Sequence, residues 1–465
     1  MMRKAIILFT RAPIPGRTKT RMMPWLSPGE CAGLHRAMLT DIAAECRRTE
    51  ADLFVYYTPG EEEAAALLRP LFGEEVPLTA QSGADLGQKM FRAIAQVLGR
   101  GYDACVLTGA DIPLLSAPVY ERAFRGLASA DLVFGPSEDG GYYLVGMKEP
   151  HPEAFQIPSY GHEKVLDNTL EGLRSAGLSV AFTDTLFDVD THEDLLRYRD
   201  ALCSSPAPDL RATGRFTADH LVLSIIVITY NEARTVDRML EQMRPFRQGE
   251  GRTEVIFVDG GSTDGTAEKI ETAGFRLLRT RKGRGLQLNA GAEASRGDIL
   301  FFLHCDSVLP EDFDRQIRDI MIMNEYGCFG VRFPSRNFFM WTNRWISNFR
   351  AKRRAIVFGD QGIFLDRRLF FRMGEFPEIP LMEDYQFSLT LRSAGYRPVM
   401  ARRRILSSAR RYRGSTMKKL LRMKQMYELR RRYRRGEDPA ELFEEYESEN
   451  WEESVLPGRR RHRNG

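Results

Sequence analysis

The sequence predicts an α/β protein made of two successive domains, each a mostly parallel sheet covered by helices. Two observations predict it. Short β-branched or aromatic runs alternate with helix-period patterns in the first two hundred residues, and the same alternation restarts after residue 220. Between the two lies a segment rich in Pro, Ser and Ala (CSSPAPDLRATGRFTAD) that reads as a linker. The expected division is 1–203, a linker over 204–220, a second domain over 221–435, and a tail over 436–465. A chain of 465 residues is long enough for each part to bury its own core.

Taken in order, the first-domain strands are expected at 5–9, 53–57, 104–108 and 132–134, with Met90, Ile94 and Val97 at helical spacing. In the second, 223–229 is a strongly apolar strand. Val236, Met239, Leu240 and Met243 then fall at i, i+3, i+4 and i+7, and 254–258 and 299–303 are further strands. In such sheets ligands bind beyond the carboxyl ends of the strands, so polar clusters directly after a strand carry the functional signal.

Composition narrows the class. Hydrophobic residues make up 43% and charged residues 28%, as in soluble globular proteins. The net charge of +4 is too small to imply a polyanion binder, and no nucleic-acid partner is expected. The six cysteines contain no CxxC pair, which argues against structural zinc or a disulfide framework. The apolar run near the N-terminus ends at Arg11 without a cleavage site and reads as a core strand. No stretch approaches the ~18 apolar residues of a membrane span. A cytoplasmic location is expected.

Four clusters follow the second-domain strands. Thr229-Tyr230-Asn231-Glu232 closes the first, and Val258-Asp259-Gly260-Gly261-Ser262-Thr263-Asp264-Gly265 closes the next. A carboxylate before glycines suits a ribose or base contact; equally, Asp264 or Ser262 caps the following helix. Arg281, Lys282 and Arg284 crowd a Gly-containing loop before a helix, where cations and N-terminal amides can hold a pyrophosphate. His304-Cys305-Asp306 ends the strand at 299–303; one carboxylate there can hold a divalent cation bridging two phosphates. Further on, Asp360-Gln361 and Glu383-Asp384 sit before helical patterns, where a carboxylate can serve as general base or simply cap a helix.

The series TYNE, VDGGSTD, HCD and MED, at these intervals, resembles glycosyltransferase family 2, of the GT-A (Rossmann-like) fold, over roughly 221–435. The stretches FGDQGIF and LMEDYQFSLTLRSAG look like the members associated with arsenosugar biosynthesis; a related branch transfers sugars to carotenoid acids. The resemblance implies an inverting transferase that uses a nucleotide-sugar and Mg2+ or Mn2+. Asn231, Glu232, Asp259, Asp264, Arg281, Lys282 and Arg284 would lie on the nucleotide side. Asp306 would be the metal acid, Asp384 the base beside Glu383, and Asp360 and Gln361 would face the acceptor. The family's Asp-x-Asp motif here begins with His304, which leaves one carboxylate from that motif.

In the first domain, Arg11, Arg17, Lys19 and Arg21 share one Gly/Pro loop suited to a triphosphate (TRAPIPGRTKTR). Asp111 follows the strand at 104–108, and Asp188 and Asp190 alternate on an extended segment. Asp111 and Asp190 are expected to share one Mg2+. The series resembles a GT-A-like family paired with the arsenosugar-type transferases and, more distantly, the guanylyltransferases for molybdopterin and phospholactate. That implies a bifunctional enzyme with nucleotidyl transfer in its first half; the alternatives are sugar transfer by that half or a non-catalytic nucleotide-binding first half.

Charged residues over 402–435 are nearly all basic, and those over 437–453 are acidic. Within 415–435, Met417, Leu420, Leu421 and Lys424 fall at helical spacing, giving a basic amphipathic helix. It is expected to pack on the transferase domain; the alternative is peripheral contact with the inner face of the cell membrane, which would suit a lipid-like rather than a small-molecule acceptor.

Overall fold

The computed structural model describes residues 2–157, 159–204, 211–247, 252–332, 338–407 and 416–448. Two compact units emerge, Met1–Thr217 and Ala218–Gly465.

Unit 1 contains β1 (Lys4–Arg11), β2 (Asp52–Thr58), β3 (Leu78–Ala80), β4 (Ala104–Gly109), β5 (Leu132–Pro136), β6 (Tyr142–Met147) and β7 (Val180–Phe182), in the spatial order β3-β2-β1-β4-β6-β5-β7. β6 runs antiparallel to both neighbours, and the remaining pairs are parallel. Unit 2 contains β8 (Leu223–Thr229), β9 (Thr253–Asp259), β10 (Arg276–Arg279), β11 (Ile299–His304), β12 (Tyr326–Arg332), β13 (Ile363–Asp366) and β14 (Val399–Leu406), in the order β10-β9-β8-β11-β13-β12-β14. Here β13 is the reversed strand. Adding seven to each label of the first sheet gives the second, so the chain builds one topology twice.

The central strands read as unbroken apolar runs because helices cover both faces of the sheet. In β1, Ile6 and Leu8 enter one core while Ala5, Ile7 and Phe9 enter the other. All seven residues of β8 are buried. The outermost strand β14 went unread in sequence because its Arg402, Arg403 and Arg404 are exposed, while Ala401 and Ile405 face inward. Such charges protect a sheet edge from pairing with another chain.

Part of the expected linker is helical, over Ala212–His220; residues 205–210 lie outside the described residues. Its first amides, from Ala212 and Thr213, donate to Asp41 at 2.8 and 2.9 Å, which supplies the missing cap partners. Arg211 donates to the carbonyls of Pro113 and Leu115 and pairs with Glu45 at 3.2 Å. The basic segment forms the helix Thr416–Tyr433, and Pro439–Glu447 forms another. Leu429, Leu442 and Tyr446 join Tyr385 and Met382 in one apolar cluster. Ser415, the side chains of Met417 and Leu420, and the tail beyond 448 lie outside the described residues. The six cysteines are free. Among the described residues no helix is long and apolar enough to cross a membrane.

Candidate active sites

In unit 2 the ends of β8 and β9 are tied together by the residues the sequence marks. Asn231 takes a left-handed φ of 53°. Its amide donates to Ser262 Oγ at 2.8 Å, and its Oδ1 accepts from Thr263 N at 2.9 Å. The Glu232 amide donates to Thr266 Oγ1, and the Ala233 amide to Asp264. Asp264 also accepts from the Thr266 amide at 3.1 Å, so it forms the turn that opens the helix Thr266–Thr272. Asp259, expected to contact the nucleotide, is engaged within the protein. It is 1% exposed, and its carboxylate accepts from Thr229 Oγ1, the amides of Gly261 and Ser262, and Ser262 Oγ. Four short-range donors satisfy both oxygens, and the carboxylate shapes the turn.

The helix Arg284–Ala294 begins with no acidic residue in its first turn. Arg281, Lys282 and Arg284 therefore gather at the positive end of a helix, an arrangement that disfavours the helix alone and favours a bound anion. Lys282 Nζ lies 4.7 Å from the centroid of the exposed Tyr230 ring, and Arg281 reaches Glu378 at 3.5 Å. Arg284 Nε is 3.0 Å from Glu383 Oε1. Glu383 is only 2% exposed, so it holds Arg284 in place. Gln287, which the sequence did not single out, is buried and donates through Nε2 to Thr229 O and Val258 O, both at 2.8 Å. Only its place one turn into a cationic helix could have drawn attention to it.

The acids cluster where β11 ends. A Cβ placed on Gly359 would lie 2.6 Å from His304 Nε2 and 3.4 Å from Asp384 Oδ2, so both groups flank this glycine. The Gly359 amide donates to Asp384 Oδ2 at 2.7 Å, and the Tyr385 amide to Oδ1 at 2.6 Å. Burial pushes the Asp360 carboxyl up to about 6; Arg350 opposes this, and the charges of Asp384 and Asp306 add to it. Asp306, Asp360 and Asp384, far apart in sequence, thus share one electrostatic neighbourhood. Gln361 is fully buried and accepts from the Phe358 amide, which supports the loop from within. Arg350, from the helix Phe338–Arg354, was not foreseen; its guanidinium stands 4.0 Å over the Phe358 ring. Among the described residues no three His, Cys, Asp or Glu side chains are close enough to cage a metal ion. The oxygen donors fit a cation that arrives held mainly by a diphosphate, since hard cations retain water and phosphate ligands.

In unit 1 the basic loop after β1 turns inward at Lys19, whose φ is 49°. Its buried ammonium lies 2.6 Å from Val189 O, 2.6 Å from Asp111 Oδ1 and 3.1 Å from Asp190 Oδ1. Arg21 reaches Asp190 Oδ2 at 3.0 Å. Asp111 and Asp190 therefore converge as expected, but the cation they share is Lys19 rather than Mg2+. As they stand, these residues do not fit a resident metal. Burial alone would lower the Lys19 pKa; the two carboxylates outweigh it and raise it. Arg11 and Arg17 are exposed, with Arg11 Nη1 on Arg17 O and Arg17 near Glu61. His35, unnoticed in sequence, backs the loop by bonding Thr10 Oγ1 and Arg11 O, both at 3.0 Å.

The two sites occupy equivalent places. Asp111 stands two residues past β4 and Asp306 two residues past β11, the fourth strand of each unit. Both α/β units thus set carboxylates and cationic loops at the strand ends, where such sheets bind their ligands.

Residues 224–379 match the family described as glycosyl transferase family 2, and residues 42–162 match one described as "Uncharacterized protein conserved in bacteria (DUF2064)". The 2-phospho-L-lactate guanylyltransferase of Methanothermobacter thermautotrophicus is 28% identical over 181 residues, 38% of this chain and 76% of that protein. The dolichyl-phosphate beta-glucosyltransferase of Dictyostelium discoideum is 30% identical over 135 residues, 26% of this chain and 41% of that protein. A solved structure from Desulfovibrio desulfuricans G20, a "putative nucleotide-diphospho-sugar transferase", is 33% identical, covers 44% of this chain and 90% of its own, and has a TM-score of 0.42. The chain thus joins a first part similar to a guanylyltransferase to a second part that matches glycosyl transferase family 2.

Proposed function

We propose that unit 2 transfers a sugar from a nucleotide-sugar to an acceptor hydroxyl or carboxyl with inversion at the anomeric carbon. The observation that carries the reading is the convergence of Asp306, Asp360 and Asp384 beside a cationic helix start. Arg281, Lys282 and Arg284 hold the diphosphate of the donor, and Glu383 keeps Arg284 aimed. Asp306 would hold a divalent cation, Mg2+ or Mn2+, that neutralises charge on the departing nucleoside diphosphate. Asp384, fixed by two backbone amides, accepts the proton as the acceptor oxygen attacks the anomeric carbon and the bond to the diphosphate breaks. Asp360 lines the acceptor side, and the buried Gln361, expected there too, instead supports its loop from within. The FGDQGIF and LMEDYQFSLTLRSAG stretches resemble the members associated with arsenosugar biosynthesis, a likeness that does not itself name the acceptor.

For unit 1 we propose nucleotidyl transfer, with Arg11, Arg17 and Arg21 receiving a triphosphate beside the Lys19–Asp111–Asp190 cluster. The likeness to a guanylyltransferase supports this. No step is assigned to a metal there.

The test uses a panel of UDP- and GDP-sugars with the full chain. Asp384→Asn is expected to reduce transfer by at least about 10²-fold while donor affinity holds, in line with the loss of a general base. Asp306→Ala is expected to remove the difference in donor affinity between Mn2+ and chelator. Unchanged turnover in the first variant would overturn the mechanism.

A further inference from the structure

The helix Phe338–Arg354 is amphipathic in an inverted sense. One side faces the protein: Ser347 and Ala351 are buried, and Asn348 bonds both the N–H and the C=O of Val331 in β12. The other side carries Trp345, Ile346 and Phe349, which are 57%, 47% and 43% exposed. Trp345 and Phe349 stack on each other, with centroids 5.1 Å apart and planes within 14°. Lys352 and Arg353, also exposed, continue the same face at i+7 and i+8 from Trp345. Neither cation meets a carboxylate among the described residues. A solvent-facing helix stripe is ordinarily polar, so a paired Trp and Phe left in water is an anomaly that needs an occupant.

The neighbouring basic helix repeats the pattern. The helix Thr416–Tyr433 packs beside the helix Phe338–Arg354. It exposes Lys424, Tyr427 (55% exposed) and Arg431 at i, i+3 and i+7, with Arg434 and Arg435 exposed just beyond. The acidic helix Pro439–Glu447 packs on a different flank, where Arg422 and Arg432 meet Tyr446 and Glu445.

We propose that the outer face of the helix Phe338–Arg354 docks on an anionic lipid bilayer, with Trp345, Ile346 and Phe349 entering the interface and Lys352 and Arg353 at the headgroups. Aromatic side chains beside cations on one helix face match the two-part character of such a surface. A second copy of the chain fits less well. Three side chains already about half covered offer roughly 300 Å², against about 800 Å² per partner in a stable protein interface. The docking face belongs to the element whose Arg350 stands over Phe358, next to the acceptor-side Gly359 and Asp360. A lipid-borne acceptor would then meet the site from the membrane side. The surface itself stands independently of the transfer chemistry.

The test is flotation of the full chain with phosphatidylcholine vesicles and with vesicles containing one quarter phosphatidylglycerol, at low and high salt. The expected result is partitioning onto the anionic vesicles at least about tenfold above the neutral ones, weakened by salt. Trp345→Ser/Phe349→Ser and Lys352→Gln/Arg353→Gln should each cut that partitioning about tenfold with an unchanged melting temperature. Wild-type protein that floats with neither vesicle, or variants that float like the wild type, would overturn the proposal. So would sedimentation equilibrium showing a wild-type dimer that the Ser variant dissociates.

Discussion

At the scale of single residues, two buried charges give opposite expectations. Asp360 is held neutral more readily in the folded protein than in the unfolded chain, because burial and two like charges raise its carboxyl to about 6. The stability associated with its neutral form is present below about pH 4 and is lost as pH rises through about 6. Asp360→Asn mimics the neutral form, so in chelator it should match the wild type near pH 4. It should exceed it by of order 2 kcal/mol above pH 6, read from urea melts. Lys19 behaves the other way. Burial, the largest single influence, would raise Asp111, but the Lys19 charge and hydrogen bond together with His35 and Arg11 outweigh it and hold that carboxyl below its ordinary range. The pair's contribution is therefore present above about pH 4, lost as acid protonates Asp111, and lost again in base when Lys19 deprotonates above 10.5. Since Asp111 is 49% exposed, solvent screening reduces the cost of Lys19→Met to roughly 1–3 kcal/mol at pH 7. That deficit should shrink below pH 4 in the same melts.

The residues also differ in how far their roles could be read from the chain. Asp306 and Asp384 could be singled out because each follows a strand or loop at a spacing that the resemblance makes specific, and the structure brings both to bear on Asp360. Asp259 was not, since its four donors come from its own turn and from Thr229, and sequence shows a carboxylate without showing who consumes it. Lys19 was read as a phosphate ligand because nothing local reveals the backbone turn that sends its side chain to Asp111 and Asp190.

At the scale of elements, burial alone did not decide legibility: the well-buried β6, β12 and β13 went unread, β6 and β12 because glycines interrupt their apolar runs and β13 because it is four residues long. β1, β2, β4, β5, β8, β9 and β11 are continuous apolar or β-branched runs, whereas β3 and β10 are three and four residues long and offer no period to read. The connector was compositional, and its helix depends on Asp41, a partner about 170 residues earlier in the chain. The helix Arg284–Ala294 depends on another distant contact. A Cβ on Gly285 would stand 2.5 Å from Pro377 O. Gly285→Ala should therefore lower stability by about 1–2 kcal/mol, because overpacking exceeds the roughly 1 kcal/mol gained in helix propensity. It should also displace Arg284 from Glu383, and the KM for the donor should rise more than kcat falls.

At the scale of the molecule, one strand order serves two units with separate cores. Sequence showed the repetition as a restart of alternation; it could not show that the reversed strand falls at the same place in each sheet, since direction is set by pairing and not by composition. Separate cores make the two charge substitutions independent. Lys19→Met combined with Asp360→Asn should change unfolding free energy by the sum of the single effects to within about 0.5 kcal/mol, as for distant sites without shared partners.

One small amide has a consequence for how the donor binds. Gln287 spans the tips of β8 and β9 from the helix opposite, and nothing in that bridge requires a ligand. The ends of these two paired strands are thus fixed as soon as the chain has folded. On the proposed reading, a donor diphosphate would meet strand ends already in place, and its attraction for the cationic helix start would not be spent on ordering them.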